Sequence, residues 1–240
     1  MSLLKKVPAA KLQLIALILL AVYPIAVLAA RLDIWHFRNS FLLFIVAAVV
    51  GFIVLVLSVL KMSQGDREDS KALVIAVLAT LVPILVLGSS VLKAKNAPFI
   101  HDISTDTVNP PELVAAAADR TAEDHPVAYE GSELAKLQMA GYPGLAALEV
   151  NQLPSLVFES ALQQVTQAGW QVLAKNNETL PFTIEAVDTS LLFGFKDDVV
   201  IRISSHKEAG SLVDVRSMSR QGKSDLGVNA KRIQALLDQI

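Results

Sequence analysis

The stretch LQLIALILLAVYPIAVLAA, residues 12–30, decides the fold class of this chain. It contains 19 residues, and none of them is Asp, Glu, Lys or Arg. A helix of roughly 20 apolar residues is long enough to cross the hydrocarbon core of a bilayer. The stretches 41–60 and 72–92 share this length and this composition. Because lipid offers no hydrogen-bond partner to a backbone amide, all three are predicted to be transmembrane helices.

Composition divides the 240-residue chain into two parts at about residue 93. Residues 1–93 carry nine Lys and Arg against four Asp and Glu, a net charge of +5. Residues 94–240 carry twelve Lys and Arg against nineteen Asp and Glu, a net charge of −7. An acidic domain repels the phosphate backbone of nucleic acid, so we do not expect nucleic acid as a partner. The chain has no cysteine, so disulfides and thiolate metal sites are excluded. We predict no metal and no cofactor.

Lys and Arg near the ends of the spans predict their orientation. Six lie before the first span or between the second and third, namely Lys5, Lys6, Lys11, Lys61, Arg67 and Lys71. Four lie in the alternate segments, namely Arg31, Arg38, Lys93 and Lys95. The excess predicts a cytoplasmic N-terminus, and three spans then place residues 94–240 on the outer side of the membrane. In a Gram-negative bacterium that side is the periplasm, so we expect an inner-membrane protein with a periplasmic domain. A cleaved signal peptide is the alternative for the first span, but its apolar run exceeds the usual ~7–15 residues.

The three spans contain no Asp, Glu, Lys, Arg or His. Transporters and proton pumps place such side chains at membrane depth, so conduction is not expected here. The spans are predicted to anchor the chain in the lipid bilayer or to pack against other membrane or envelope proteins.

Residues 94–240 are predicted to form an α+β domain. After a tether and a short helix at 111–119, residues 121–154 are rich in Pro, Gly and acidic residues and favour irregular structure with a helical turn or two near 132–139. Helical spacing of apolar residues follows at 155–168, and period-two alternation then predicts four strands. The strands are 171–175, 182–188, 199–204 and 212–219, and a final helix at 225–238 has Ser224 as its cap. This order predicts a four-stranded antiparallel sheet with helices packed on one face.

The alternation also assigns side chains to faces of the sheet. Glu185, Arg202, Asp214 and Arg216 fall on the face away from the predicted helices. A solvated set of ion pairs is one interpretation. The alternative is a polar groove covered by residues 121–154, whose charges would then be partly desolvated and suited to binding.

The most concentrated set of candidate binding residues lies where the last strand turns into the last helix, and we call residues 216–229 the corner. Its polar side chains are Arg216, Ser217, Ser219, Arg220, Lys223, Ser224, Asp225 and Asn229. Free amides and the positive end of a helix dipole favour anions at such a place, and arginine binds phosphate or carboxylate with two hydrogen bonds. The structural alternative is that Ser224 caps the helix, Asp225 favours its first turn, and the arginines pair with Asp197, Asp198 or Asp214.

Several segments resemble one known family. They are VDVRSMSRQGKSDLGVNAKRI (213–233), FGFKDDVVIRI (193–203), HDISTD (101–106), NPP (109–111), YPG (142–144) and IEA (184–186). Together they are similar to the uncharacterised domain of unknown function 1499, found in bacteria and plants. The resemblance implies that most of residues 94–240 is one such domain, and it implies no activity.

Three functional hypotheses remain open from the sequence. The preferred one is a non-enzymatic binding or assembly module that holds an anionic ligand or a partner segment at the corner. The second is a hydrolase-like enzyme that uses Ser or Asp of the corner with His125 or His206, although no G-x-S-x-G, H-E-x-x-H, phosphate-loop or dinucleotide motif is present. The third is a structural subunit of an envelope complex.

Overall fold

The computed structural model describes residues 7–32, 34–64, 69–95, 97–207 and 210–240. The chain divides into two compact units. One consists of Met1–Leu92 with Leu191–Gly194, and the other consists of Lys93–Ser190 with Phe195–Ile240. Each unit has its own apolar core, and we describe each by itself.

Three long helices form the first unit, namely α1 (Ala9–Arg31), α2 (Phe37–Ser63) and α3 (Ser70–Ala94). Each is long and apolar enough to cross a membrane, in α3 over Ser70–Ser89. Large apolar side chains on all three remain exposed, for example Leu14, Phe52 and Leu85 at 59%, 55% and 60%. Water disfavours such surfaces, whereas hydrocarbon accommodates them. The three predicted spans are thus confirmed as long apolar helices, which indicates association with a membrane.

Small and hydroxylated residues lie where these helices pack together. Gly51 of α2 sits so close to α1 and α3 that a Cβ there would lie 3.7 Å from Tyr23 Oη and 3.7 Å from Thr80 Cγ2. Buried hydroxyl groups form hydrogen bonds within their own helices. Ser58 Oγ donates to the Val54 carbonyl, and Thr80 Oγ1 donates to the Ala76 carbonyl, both at 2.8 Å. Small side chains at an interface let membrane helices approach closely.

The second unit is built on an antiparallel sheet. It contains β1 (Asp102–Ser104), β2 (Leu148–Val150), β3 (Gln171–Asn176), β4 (Phe182–Thr189), β5 (Lys196–His206) and β6 (Gly210–Ser219). The strand order is β1-β6-β5-β4-β3, and β2 also pairs with β6. The α+β class and the four predicted strands are confirmed, but the count of four was wrong because the described residues form six. The two additional strands are three residues each, too short for alternation to reveal, and both pair antiparallel with β6.

Four helices accompany the sheet, namely α4 (Val114–Asp119), α5 (Ser132–Gly141), α6 (Pro154–Gln167) and α7 (Val228–Leu237). The main core lies where α6 and α7 cover one face of the sheet. Phe158 and Val165 of α6 and Ile233 of α7 are buried there with Ile201 and Val215 of the sheet. These strand residues belong to the faces that alternation assigned to the core.

The opposite face of the sheet is also covered, which corrects the prediction that helices pack on one face only. Leu113 and Ala116 of the α4 region form a second small core with Val200 and Met218. Glu185 fixes α4 there, because its two carboxylate oxygens accept from the backbone N–H groups of Ala115 and Ala116, both at 3.0 Å. A carboxylate at the first turn of a helix satisfies amides that have no intrahelical partner.

Candidate functional site

The guanidinium of Arg216 is fully engaged inside the protein. It forms two hydrogen bonds to Asp102, Nε to Oδ1 at 3.0 Å and Nη2 to Oδ2 at 2.8 Å. It also donates to the carbonyl of Val127 at 2.7 Å, and its carbon lies 5.5 Å from the centre of the Tyr129 ring. The side chains of Arg216 and Asp102 are 3% and 0% exposed. This arginine therefore offers no open binding group on the surface.

Arg220 is engaged in the same way. Its guanidinium bonds to Asp198, with Nη2 to Oδ1 at 2.7 Å, and to Asp119 at 2.8 Å. Asp198 is fully buried and receives a second guanidinium, because Arg120 Nε donates to its Oδ2 at 2.8 Å. The hydrogen bond from Arg220 lowers the pKa of the Asp119 carboxyl. Arg220 with Asp198 is one of the pairings that the structural alternative named.

The remaining residues of the predicted polar face form a third network. Arg202 Nη2 donates to Asp214 Oδ2 at 2.8 Å and to Asp106 Oδ2 at 2.9 Å. Although partial burial opposes it, hydrogen bonds from the backbone of Asn109 and Val108 and from Arg202 lower the pKa of the Asp106 carboxyl. These contacts to the polar face come from residues before 121, and Val127 and Tyr129 of the expected cover contact Arg216 on the same face.

Ser217, Ser219 and Asn229 point to the helical side of the sheet and form a buried cluster. Ser217 Oγ donates to Asn229 Oδ1 at 2.7 Å, and Asn229 Nδ2 donates to Ser219 Oγ at 3.1 Å and to the His101 carbonyl at 3.0 Å. Arg232 joins the cluster through Ser217 Oγ at 3.0 Å. Sequence reasoning missed Arg232, whose other bonds go to Asp188 and Asp197, each at 2.7 Å.

The prediction that Ser224 caps the last helix was wrong, because Asp225 is the residue that binds the amides at its start. Its carboxylate accepts from the backbone N–H groups of Gly227 and Asn229, both at 2.8 Å. Helix α7 therefore begins at Val228, because Leu226 and Gly227 adopt positive φ angles of 56° and 80° in the turn before it. Burial raises the pKa of the Asp225 carboxyl. Ser224 Oγ accepts only a local bond from Leu226 N at 3.3 Å.

The corner borders an open cleft of about 350 Å³, which we call the histidine cleft. Its polar lining is His101, His125, Glu130, Glu133 and Lys223. Its apolar lining is Phe99, Ile100, Leu134 and Leu137. Of the predicted corner residues, Lys223 is the one that lines this cleft. The structure therefore separates the corner into two buried arginine networks, one buried cluster of Ser217, Ser219 and Asn229, and an accessible edge at Lys223.

His101 is the most unusual side chain of the cleft. It is 7% exposed, and its Nε2 has no hydrogen-bond partner among the described residues. A buried polar atom without a partner is uncommon and unfavourable, so it calls for an explanation. The carboxylate of Glu130 faces it, with Oε1 at 4.0 Å from that nitrogen. Burial and the neighbouring His125 lower the pKa of His101, against the opposing effect of Glu130 and Asp102.

His125 is held at the corner by two contacts. Its backbone N–H donates to the carbonyl of Arg220 at 2.7 Å, and its ring Nε2 lies 2.9 Å from the carbonyl of Gly222. Because a carbonyl oxygen only accepts, Nε2 of His125 carries a proton. The ring stacks on His101 with a centroid separation of 4.0 Å and an interplanar angle of 27°. The sequence contained no signal for this pair beyond the position of His101 within HDISTD.

The described residues show no serine of the corner hydrogen-bonded to a histidine ring. Ser217 and Ser219 bond to Asn229, Ser224 bonds to a backbone amide, and His125 bonds to a carbonyl. The same part of the chain contains no group of three or more His, Asp or Glu that could hold a metal ion. The accessible chemistry of the cleft is thus one lysine, two imidazoles and two carboxylates beside an apolar wall.

Comparison with known proteins agrees with the geometry of the second unit. The model of the family described as "Protein of unknown function (DUF1499)" matches residues 102–240. The matched range includes the six strands described above and those cleft residues that follow His101 in the sequence. A search of the curated proteins found no match. The match covers more than half of the chain and agrees with the resemblance noted in the sequence. The chain belongs to the DUF1499 family.

Proposed function

We propose that this chain is a bacterial inner-membrane protein whose C-terminal domain is a non-enzymatic module that binds an anionic ligand or partner segment at the histidine cleft. The three apolar helices support the membrane anchor. The distribution of Lys and Arg around them supports a cytoplasmic N-terminus and a periplasmic domain. The family has no assigned activity, so the argument for binding comes from the cleft itself.

The observation that supports this proposal most is the unpartnered Nε2 of buried His101 in the lining of the cleft. An imidazole nitrogen that carries its proton donates to an oxygen ligand, and a bound anion supplies the missing acceptor. Lys223 adds a flexible ammonium at the rim, for which no hydrogen bond or ion pair is present among the described residues. Arg216 and Arg220 contribute indirectly, because their ion pairs fix the chain on which the cleft is built.

Isothermal titration of the full-length chain in an uncharged detergent tests the proposal, with inorganic phosphate and acetate as probes. We expect measurable binding of the probes. Lys223→Ala should weaken it about ten-fold, because the variant loses one hydrogen bond from a charged group to the anion. His101→Gln keeps a polar side chain but removes the imidazole, and it should weaken binding similarly. Lys175→Ala is the matched control, because Lys175 is an exposed lysine on β3, the far edge of the sheet. Equal binding by all four proteins, or binding by none, would contradict the proposal.

A further inference from the structure

The wall of the histidine cleft is more apolar than an anion site requires. Phe99 and Leu137 line it with 72% and 53% of their surfaces exposed, and Ile100 and Leu134 continue the wall inward. Water disfavours such surface by roughly 25 cal/mol for each Å². Exposed apolar side chains that converge on one cleft are a common feature of ligand sites. The ligand that fits this wall has an apolar part as well as a charged one.

The charges of the cleft are of both signs, and Lys223 forms no ion pair with either glutamate among the described residues. Lys223 is the cation of the rim, and Glu130 and Glu133 are its carboxylates. Glu133 pairs with Lys136 at 2.6 Å, whereas Glu130 makes no hydrogen bond among the described residues and is 60% exposed. One ammonium and one carboxylate without a hydrogen bond complement a ligand that carries an anion and a cation together. A purely anionic ligand would contact Lys223 and leave Glu130 without a cation.

The three apolar helices indicate where such an amphiphile comes from. Each is long and apolar enough to cross a membrane, so phospholipid surrounds the anchor of this chain when the helices are inserted in a bilayer. A phospholipid combines apolar acyl chains with a charged head group, which in some classes carries a phosphate and an ammonium together.

We infer that the histidine cleft binds the head group of a zwitterionic phospholipid with a primary ammonium, of the phosphoethanolamine type. The phosphate accepts from Lys223 and from Nε2 of His101, the ammonium donates to Glu130, and the first methylenes contact Phe99 and Leu137. The cleft volume of about 350 Å³ lies at the small end of the range for ligand sites, which suits a head group with a few methylenes. This inference rests on the proposed function, because it names the ligand of the same site.

Native mass spectrometry of the full-length chain tests the inference. The detergent-solubilised chain is mixed with equal amounts of phosphatidylethanolamine, phosphatidylcholine and phosphatidylglycerol that have identical acyl chains. We expect phosphatidylethanolamine to be retained about ten-fold over phosphatidylcholine, because the choline group has no N–H to donate to Glu130. Some lipid will bind the apolar helices without selectivity. The amount of lipid retained by each variant is therefore compared with the amount retained by the unmodified chain, and the difference is the lipid bound at the cleft.

Three variants separate the contributions of the cleft. Glu130→Gln should abolish the preference for phosphatidylethanolamine over phosphatidylcholine while both remain bound. Phe99→Ser should lower retention of all three lipids at the cleft. Glu178→Gln removes an exposed carboxylate from the β3–β4 turn and should change nothing. A wild-type chain that retains the three lipids equally, or a Glu130→Gln variant with unchanged preference, overturns the inference.

The two proposals fail in distinguishable ways. If inorganic phosphate binds in a manner that depends on Lys223 but the lipids are not distinguished, the anion site stands and the lipid inference fails. If neither phosphate nor lipid responds to Lys223→Ala, both fail together.

Discussion

Arg216 and Asp102 form a buried, doubly hydrogen-bonded ion pair that joins β6 to β1 across 114 residues of sequence. Asp102 directly follows His101, so this pair holds in place the strand from which the cleft histidine extends. Arginine forms such two-bond contacts with carboxylates more specifically than lysine does. Arg216, one of the two arginines that the sequence suggested as ligand-binding, is instead a structural element that does not line the cleft.

Removing one member of this pair should destabilise the domain strongly. Asp102→Asn leaves the buried guanidinium of Arg216 without its counter-charge, and breaking a buried pair costs about 3–5 kcal/mol. Thermal unfolding of the full-length chain measures this as a large drop in Tm. Arg216→Met combined with Asp102→Leu should recover part of the loss, since no unpaired charge remains. Glu149→Gln, which removes an exposed partner of Lys207, is the control and should leave Tm unchanged. An Asp102→Asn variant as stable as the wild type would contradict the structural role.

The packing of the three apolar helices predicts a size limit at Gly51. A Cβ at this position meets its neighbours at 3.7 Å, an ordinary contact distance, so Gly51→Ala should be tolerated. Gly51→Leu adds three further carbons against Tyr23 and Thr80, and overpacking of this kind costs about 1–3 kcal/mol. Thermal unfolding in detergent compares the two variants. Gly88→Leu in α3 is the control, because a Cβ there has no neighbour within 4 Å. Equal losses at Gly51 and Gly88 would show that α2 does not pack in this way.

The lowered pKa of His101 predicts how stability depends on pH. The folded domain holds this imidazole neutral at pH values where the unfolded chain, with its pKa near 6.5, already binds a proton. The unfolded state therefore binds more protons, and stability falls as pH drops below about 6.5 toward the folded pKa. The groups that act on His101 are His125, Glu130, Asp102 and Arg120. Chemical denaturation at a series of pH values should show this slope, and His101→Gln should reduce it. A slope of the opposite sign would contradict the burial of His101 as a neutral group.

The orientation of the membrane part is tested with reporter fusions. Alkaline phosphatase fused after Ile240 should be active and a green fluorescent protein fused there should be dark, because both reporters respond to the periplasm in this way. Fusions after Gln64, between α2 and α3, should give the opposite pattern. A fluorescent fusion after Ile240 would place the domain in the cytoplasm and refute the proposed orientation.

The sequence predicted those parts of the fold that repeat a pattern over enough residues. The three apolar stretches, the alternation in β4 to β6 and the helical spacing in α6 each extend over six residues or more, and each is present. β1 and β2 extend over three residues each and depend on β6 for their hydrogen bonds, so a local pattern cannot reveal them. Helix α4 lies on the polar face because Glu185 binds its first amides, a contact between residues 69 and 70 positions apart.

The candidate site was harder to predict than the fold. Alternation assigned Arg202, Asp214, Arg216 and Glu185 to one face, and they do share it. It gave no information on Asp102, whose pairing with Arg216 removes that arginine from the surface. The stacking of His101 on His125 is likewise a tertiary contact between two loops. The cluster of polar residues in the sequence was enough to identify the corner. Which of these residues is accessible to a ligand depends on how distant segments pack against it.

The proposed anion site depends most on His101, whose Nε2 donates to the bound anion. The NMR signals of its imidazole ring report this contact directly. Full-length chain with isotope-labelled histidine in an uncharged detergent is titrated with inorganic phosphate and followed by NMR. We predict that the His101 ring signals shift with saturation, and that its titration midpoint rises when phosphate is bound, because a neighbouring anion favours the imidazolium. His101 signals that stay unchanged at phosphate concentrations that shift other residues would contradict the account.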